Sequence, residues 1–157
     1  MSRVAQDFID LLRVFTDHEV RFLVVGAYAL GQHGRPRATG DIDVWVEPTS
    51  ENAARVFRAL AAFGAPLGDI SVEELASPGV VFQMGVEPFR IDILTAISGV
   101  EFADAWPHRL DSLLGGQQVA VLGLEDLIRN KRASGRPKDL VDVATLERLK
   151  TLRLGKE

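Results

Sequence analysis

The sequence predicts an α/β (α+β) domain in which a mixed β-sheet is covered by helices mainly on one face and followed by a short helical C-terminal segment. Short runs rich in β-branched and aromatic residues, such as RFLVV and DIDVWV, alternate with longer segments whose apolar residues recur every three or four positions. The chain has 157 residues, of which 46% are hydrophobic, and shows no repeat or linker. We therefore expect one domain over 1–157, with a core at about 20–122 and C-terminal helices at 123–153.

The first half of the chain alternates helices with strands. Gly26 ends the first apolar run, and a loop with three glycines and a proline leads to the second. Ser50 is the expected N-cap of the helix after it. The predicted elements are, in order, a helix at 3–16, a strand at 21–25, a helix at 27–33, a strand at 41–47 and a helix at 50–63.

The second half begins with a short piece at 69–75 and continues with strands. Glu87 and Pro88 separate two apolar runs, which predicts a hairpin or two neighbouring strands. Pro137 suits the first position of the last helix. The predicted elements are strands at 80–86, 89–94 and 117–122, and helices at 124–133 and 137–152.

The composition excludes several classes of protein. The chain has no cysteine, which rules out thiolate catalysis and cysteine-ligated zinc or iron–sulfur centres. No window approaches 18 uncharged apolar residues, and Asp7 and Asp10 interrupt the stretch in which a signal peptide would need to be apolar. We therefore expect a cytoplasmic protein that does not bind a membrane.

The net charge of -4 is unevenly distributed along the chain. Residues 129–157 hold nine basic and four acidic residues, a balance of +5, whereas the rest of the chain has a balance of -9. A basic segment on an acidic body favours a polyanionic ligand, but two solvated basic helices would give the same distribution. Charge alone leaves both interpretations open.

Paired carboxylates are the most informative motif. On a strand, Asp41 and Asp43 emerge on one face, about 7 Å apart along the chain. Asp92 is flanked by Ile91 and Ile93, and it would complete a cluster of three carboxylates if its strand lay beside the first. Such a cluster suits Mg²⁺, which prefers oxygen ligands. The alternative is a solvated edge strand and an isolated solvated acid.

An anion site is expected close to these acids. Gly26 opens a helix, and a helix N-terminus behind a glycine turn presents free backbone N–H groups to phosphate. The loop that follows carries Arg35 and Arg37. An anion site and a divalent-cation site this close in sequence describe a metal-bound nucleoside triphosphate.

These motifs resemble those of the nucleotidyltransferase superfamily related to DNA polymerase beta. The resemblance is carried by Val25-Gly26-Ala27, thirteen intervening residues, Asp41-Ile42-Asp43, and later Ile91-Asp92-Ile93. The loop RPRATG is similar to that of small bacterial members, in which a basic residue and a threonine, here Arg37 and Thr39, precede the acidic strand. Ala27 departs from the pattern, because the family usually has Gly or Ser there.

The segment LEDLIRNKRASGRPKDLVD at 124–142 is similar to the helical end of the abortive-infection (toxin–antitoxin) nucleotidyltransferases. On that resemblance Lys131 would reach the phosphates, and Arg136, Lys138 and Asp139 would line the same cleft. The alternative is structural. Asp139 would then stabilise the dipole of the last helix, and the basic side chains would be solvated.

The resemblance implies Mg²⁺-dependent transfer of a nucleoside monophosphate from an NTP to an acceptor hydroxyl, with release of pyrophosphate. Asp41, Asp43 and Asp92 would hold two Mg²⁺ ions, or Mn²⁺, with Asp92 nearest the attacking hydroxyl. Gly26 and Ala27 would bind the phosphates through their backbone. The acceptor could be tRNA, a protein or a small molecule, and a cognate toxin or antitoxin partner and a homodimer are both compatible with the resemblance.

Two other functions compete with this one. Ala27 lacks the hydroxyl that often helps to bind the triphosphate, so the chain could be a catalytically degenerate, antitoxin-like or regulatory binding module. An aminoglycoside-modifying enzyme is less favoured, since that class usually has a separate helical substrate domain. Trp45 shares a strand face with Asp41 and Asp43, which allows either a core role or base stacking, of which the core role is favoured.

Overall fold

A computed structural model describes residues 6–34, 40–86 and 89–155. Its helices and strands follow one another in the predicted alternation. In chain order they are α1 (Gln6–Asp17), β1 (Phe22–Val25), α2 (Gly26–Gln32), β2 (Asp41–Val46), α3 (Ser50–Phe63), α4 (Val72–Leu75), β3 (Val81–Val86), β4 (Phe89–Leu94), α5 (Phe102–Ala105), β5 (Leu110–Leu114), β6 (Gln117–Val121), α6 (Leu124–Ser134) and α7 (Pro137–Gly155). The predicted α/β class is confirmed.

The strands form one mixed sheet in the order β3-β4-β2-β1-β6-β5. The β2–β4 and β1–β6 pairs are parallel, whereas the other neighbours are antiparallel. The predicted hairpin of β3 and β4 is therefore present. Because β2 and β4 run in the same direction, both strands begin at the same edge of the sheet, which is where their acidic residues lie.

The two faces of the sheet are covered differently. Ile42, Val44 and Val46 are fully buried on one face, where Phe15 of α1 meets Phe22 of β1 at a ring-centroid distance of 5.4 Å. Helix α1 in turn packs against α3. On the other face Trp45 packs against α5, but the acidic end of β2 stays partly exposed. Burial of the apolar face thus fixes which way the acids point.

The start of α3 is tied to the sheet by polar contacts. Thr49, not Ser50, is the N-cap, since its hydroxyl accepts a hydrogen bond of 3.2 Å from the backbone N–H of Asn52. The Asn52 side chain is buried, accepts a hydrogen bond from the backbone of Arg21 and donates to the carbonyls of Arg21 and Glu47. The predicted cap was wrong by one residue, because the hydroxyl that accepts from the first turn of α3 belongs to Thr49.

Strand β5 is the main element that the sequence analysis does not predict. Its residues LDSLL lack β-branched side chains, and most of them are exposed at the sheet edge. The available signal was Gly115-Gly116, which connects β5 to β6 with positive φ at both residues. The ends of most other elements lie within a few residues of their predicted positions. Among the described helices, none combines the length and the hydropathy needed to cross a membrane.

Candidate active site

Three carboxylates lie close together on the neighbouring inner strands β2 and β4. In the parallel register of β2 and β4, Asp43 lies beside Asp92 and Asp41 lies beside Arg90. Strand alternation places all four side chains on the same face. Asp92 is buried, with 9% of its surface exposed, whereas Asp41 and Asp43 are partly buried. The condition for a three-carboxylate cluster, that the strand carrying Asp92 lies beside the strand carrying Asp41 and Asp43, is met.

Gly26 lies directly against this cluster. Val25 pairs with Asp43 across β1 and β2, and the chain then turns into α2 with a φ of 69° at Gly26, which is a left-handed conformation that favours glycine. A Cβ atom built at Gly26 would collide with Oδ2 of Asp43. No side chain caps the N-terminus of α2. The first backbone N–H groups of the helix therefore donate to no capping side chain. Glycine is therefore required here both by conformation and by the closeness of the carboxylate.

The crowding of carboxylates changes the acidity of Asp43. The pKa of Asp43 is raised from 3.8 to about 6, first by burial and then by the charge of Asp92, a hydrogen bond with Asp92 and the charge of Asp41. The positive charge of Arg90 acts in the opposite direction. In this environment the Asp43 carboxyl group is stabilised by binding a proton or by a nearby cation.

Arg90 is a member of the cluster that the sequence analysis missed. Its Nη2 lies 3.3 Å from Oδ2 of Asp41, and its Nε lies 3.3 Å from Oδ1 of Asp92. The signal was present in the sequence. A residue two positions before Asp92 on a strand must share its face, and the side chain there is an arginine.

The donor set fits a divalent cation chemically. Its ligands would be carboxylate oxygens, which Mg²⁺ and Mn²⁺ prefer. Oδ1 of Asp92 is buried and accepts no hydrogen bond from the described part of the chain, so a lone pair is available for coordination. Within residues 6–34, 40–86 and 89–155, however, no three acidic or histidine side chains converge closely enough to hold an ion as they stand. The guanidinium of Arg90 lies between Asp41 and Asp92 instead.

Lys131, Arg136 and Asp139 form a second cluster, in which they bind one another. Lys131 Nζ lies 3.3 Å from Oδ1 of Asp139 and 3.3 Å from Oδ2 of Asp142, and Arg136 Nε donates to Asp139 Oδ2 at 2.7 Å. Both acids are buried between α6 and α7. Burial by itself would raise the pKa of Asp139, but the hydrogen bond from Arg136 and the charge of Lys131 outweigh it and lower that pKa. A contact of Lys131 with phosphates therefore stays a prediction.

The remaining predicted site residues fall in different places. Ala27 is the second residue of α2, and Lys138 is exposed in the first turn of α7. Arg37 and Thr39 lie outside the described residues. Trp45 is 1% exposed, and its ring meets that of Phe102 at a centroid distance of 5.0 Å. The core interpretation of Trp45 is the one that this burial supports.

Comparison with known protein families decides the relationship. The model of a family described as "Nucleotidyltransferase of unknown function (DUF6036)" matches residues 3–156. The chain belongs to this nucleotidyltransferase family. The superfamily inferred from the spacing of Gly26, Asp41, Asp43 and Asp92 is thereby confirmed. A search of curated proteins finds no match to the chain.

Solved structures of other nucleotidyltransferases share the fold of this family member. TM1012 of Thermotoga maritima, a candidate nucleotidyltransferase, is 18% identical with a TM-score of 0.53, over 99% of this chain and 97% of that one. The antibiotic-resistance factor ANT(2'')-Ia is 16% identical with a TM-score of 0.60, over 96% and 85%. The lincosamide antibiotic adenylyltransferase LnuA is 15% identical with a TM-score of 0.59, over 94% and 99%. At these identities the similarity establishes the fold.

Proposed function

We propose that this nucleotidyltransferase transfers a nucleoside monophosphate from an NTP to an acceptor hydroxyl and releases pyrophosphate. The observation that carries the proposal is the direct pairing of Asp43 with Asp92 at the sheet edge where Gly26 turns into α2. This arrangement supplies carboxylates for cations and backbone N–H groups for phosphates within one small region. Membership in a nucleotidyltransferase family supports the same reaction class.

The three carboxylates have distinct roles in this proposal. Asp41, Asp43 and Asp92 would hold the divalent cations, two Mg²⁺ or Mn²⁺ ions, that would accompany the NTP. Bound cations of this kind neutralise charge on the reacting phosphates and on the leaving pyrophosphate. Asp92, the most buried of the three, faces the acceptor hydroxyl and draws its proton away as the oxygen attacks the α-phosphorus. The bond between the α-phosphorus and the bridging oxygen then breaks, and the β- and γ-phosphates depart together.

Other residues position the nucleotide. The backbone N–H groups of Gly26 and Ala27 bind the β- and γ-phosphates, and Arg37 and Thr39 are proposed to contribute as well. Lys131, Arg136, Lys138 and Asp139 are proposed for the same cleft. For Lys131, Arg136 and Asp139 this requires an ion cluster to open, because they bind one another between α6 and α7.

The experiment that tests the reaction measures transfer from an NTP labelled at the α-phosphate, with Mg²⁺ or Mn²⁺ and candidate acceptors. Asp41→Ala and Asp43→Ala should each abolish labelling, because each removes a cation ligand. Asp111→Ala is the matched control, since this side chain is 84% exposed and belongs to β5. If labelling persisted in either cluster variant, the catalytic assignment would be wrong.

One specific observation favours a second function. Ala27 offers no hydroxyl at the start of α2, and this supports a binding module that keeps the fold but has lost catalysis. Calorimetric titration of the wild-type chain with each of the common NTPs and Mg²⁺ separates the two functions. Heat that is lost in Asp43→Ala supports the enzyme, whereas absence of heat with every NTP supports the module.

The acceptor can be a small molecule, a tRNA or a protein. LnuA is a lincosamide adenylyltransferase, and this chain spans 99% of its length. This similarity in length supports a small-molecule acceptor as one candidate. A cytoplasmic location, a toxin or antitoxin partner and a homodimer remain predictions from the sequence.

A further inference from the structure

Arg90 is a basic side chain at the centre of an acidic cluster. It lies on β4 two residues before Asp92 and pairs in register with Asp41 on β2. Since residues at this spacing share a strand face, its side chain must emerge beside the carboxylates. About one third of the Arg90 side chain is exposed, so solvent and ligands can reach it.

The contacts of Arg90 bridge the two strands. Nη2 hydrogen bonds to Oδ2 of Asp41 at 3.3 Å, and Nε lies 3.3 Å from Oδ1 of Asp92. The Nε contact is an ion pair without hydrogen-bond geometry, because Oδ1 of Asp92 accepts no hydrogen bond from the described residues. The Arg90 guanidinium thus pairs with two carboxylates: it hydrogen bonds to Asp41, whereas its contact with Asp92 is an ion pair alone.

A divalent cation at this cluster would bind the same two carboxylates that Arg90 contacts. A divalent cation bound by Asp41 and Asp92 would lie next to the Arg90 guanidinium, which is 3.3 Å from one oxygen of each carboxylate, so the two positive charges would repel each other. The absence of a converging group of three acids within the described residues agrees with this, since the guanidinium lies between Asp41 and Asp92. A cation and Arg90 therefore compete for the carboxylates.

The geometry points to Arg90 as a built-in counter-ion that holds the carboxylates together before a divalent cation arrives and that the cation must displace. This inference rests on the proposed function for the identity of the cation. Arg90 is a positioning residue in this scheme. A triphosphate arriving with the metal gives the displaced guanidinium a new anionic partner, so metal and nucleotide bind synergistically.

The counter-ion role is tested first without metal, by thermal unfolding in EDTA. Arg90→Met should unfold about 2–8 °C below the matched control Arg55→Met, because Asp41 and Asp92 both lose their ion pair with Arg90 beside the charge of Asp43. Arg55 suits this control because it is equally exposed, at 32%, and pairs with Glu51 on α3. The double variant Asp41→Asn, Arg90→Met should regain most of the loss. Equal midpoints for Arg90→Met and Arg55→Met would overturn the counter-ion role.

The displacement step is tested by Mn²⁺ binding, followed by electron paramagnetic resonance of the free ion. Without nucleotide, Arg90→Met should bind Mn²⁺ roughly two- to thirtyfold more tightly than wild type, the range expected for removing two partly exposed ion pairs. Adding a nonhydrolysable NTP should tighten Mn²⁺ binding strongly in wild type and weakly in the variant. Unchanged or weaker binding by Arg90→Met in the absence of nucleotide would overturn displacement.

The two measurements separate this inference from the proposed function. If neither wild type nor Arg90→Met bound Mn²⁺ even with nucleotide present, the proposed function and the displacement step would fall together. The unfolding experiment contains no metal, so it would still decide the counter-ion role. Arg90→Lys, which keeps the charge, should resemble wild type in unfolding, and a midpoint as low as that of Arg90→Met would count against a charge-based role.

Discussion

Replacing Asp43 by Asn should stabilise the metal-free protein at neutral pH. Burial and the neighbouring acids raise the pKa of Asp43 from 3.8 to about 6. A rise of that size corresponds to about 3 kcal/mol, which is the cost of ionising Asp43 in the folded protein relative to the unfolded chain. Asn has the same shape and no charge, so the variant avoids this cost. The figure is an upper limit, because Asn changes the hydrogen bond with Asp92.

The pH dependence follows from proton binding. Between pH 4 and pH 6 the folded protein holds a proton on Asp43 that the unfolded chain has released. The stabilising contribution of the protonated group is therefore complete at low pH and is lost as the pH rises through about 6. Asp43→Asn has no such loss. The advantage of the variant should be near zero at pH 4 and reach about 3 kcal/mol at pH 7.5, or roughly 6–12 °C in unfolding midpoint.

Urea unfolding in EDTA at a series of pH values measures this difference. Asp111→Asn is the control, since the same chemical change at an 84% exposed side chain should leave stability unchanged at every pH. A variant less stable than wild type at pH 7.5 would refute the electrostatic reasoning. So would an advantage of the same size at pH 4 and pH 7.5, since packing rather than charge would then be its cause.

Three further changes test other parts of the structure. Gly26→Ala should cost about 1–3 kcal/mol in urea unfolding, from the positive φ and the collision with Asp43, and the cost should shrink in an Asp43→Ala background. Lys131→Met should cost about 3–5 kcal/mol by removing the buried ammonium that contacts both Asp139 and Asp142, and adding Asp142→Asn should recover much of it. Labelling that stayed absent in that rescued double variant would support a phosphate contact of Lys131, and wild-type labelling would exclude it. Asn52→Ala should cost about 1–3 kcal/mol by breaking its bridge to β1 and β2 while leaving Mn²⁺ binding unchanged in the presence of nucleotide, and a shift in that binding would contradict the purely structural role.

The strands and helices with strong hydrophobic periodicity could be predicted from the sequence. Alternation fixed that Asp41 and Asp43 share a face, because strand geometry is local. The position of Asp92 beside them depended on which strands pair, and this is a long-range property of the sheet. The resemblance to a superfamily supplied that information before the structure did.

Contacts between polar residues that are far apart in sequence could not be predicted. One example is Asn52, which bridges two strands that are remote in sequence. The motif predicts that Lys131 binds phosphates, which stays a prediction, but it does not reveal that Lys131 contacts two buried acids on α7. Local patterns do not reveal which opposite charge a buried side chain will meet. Edge strand β5 was missed for another reason, since its exposed residues produce little periodicity.

Because Gly26 and Asp43 are in close contact, the residue at each position restricts which substitutions the other can accept. The carboxylate fills the space that any larger residue at position 26 would need. A relative that has lost the acid is freed from that restriction and keeps only the preference for a left-handed backbone, which Asn also satisfies at modest cost. Covariation of these two columns in an alignment would therefore separate members that retain catalytic potential from those that have drifted toward binding alone.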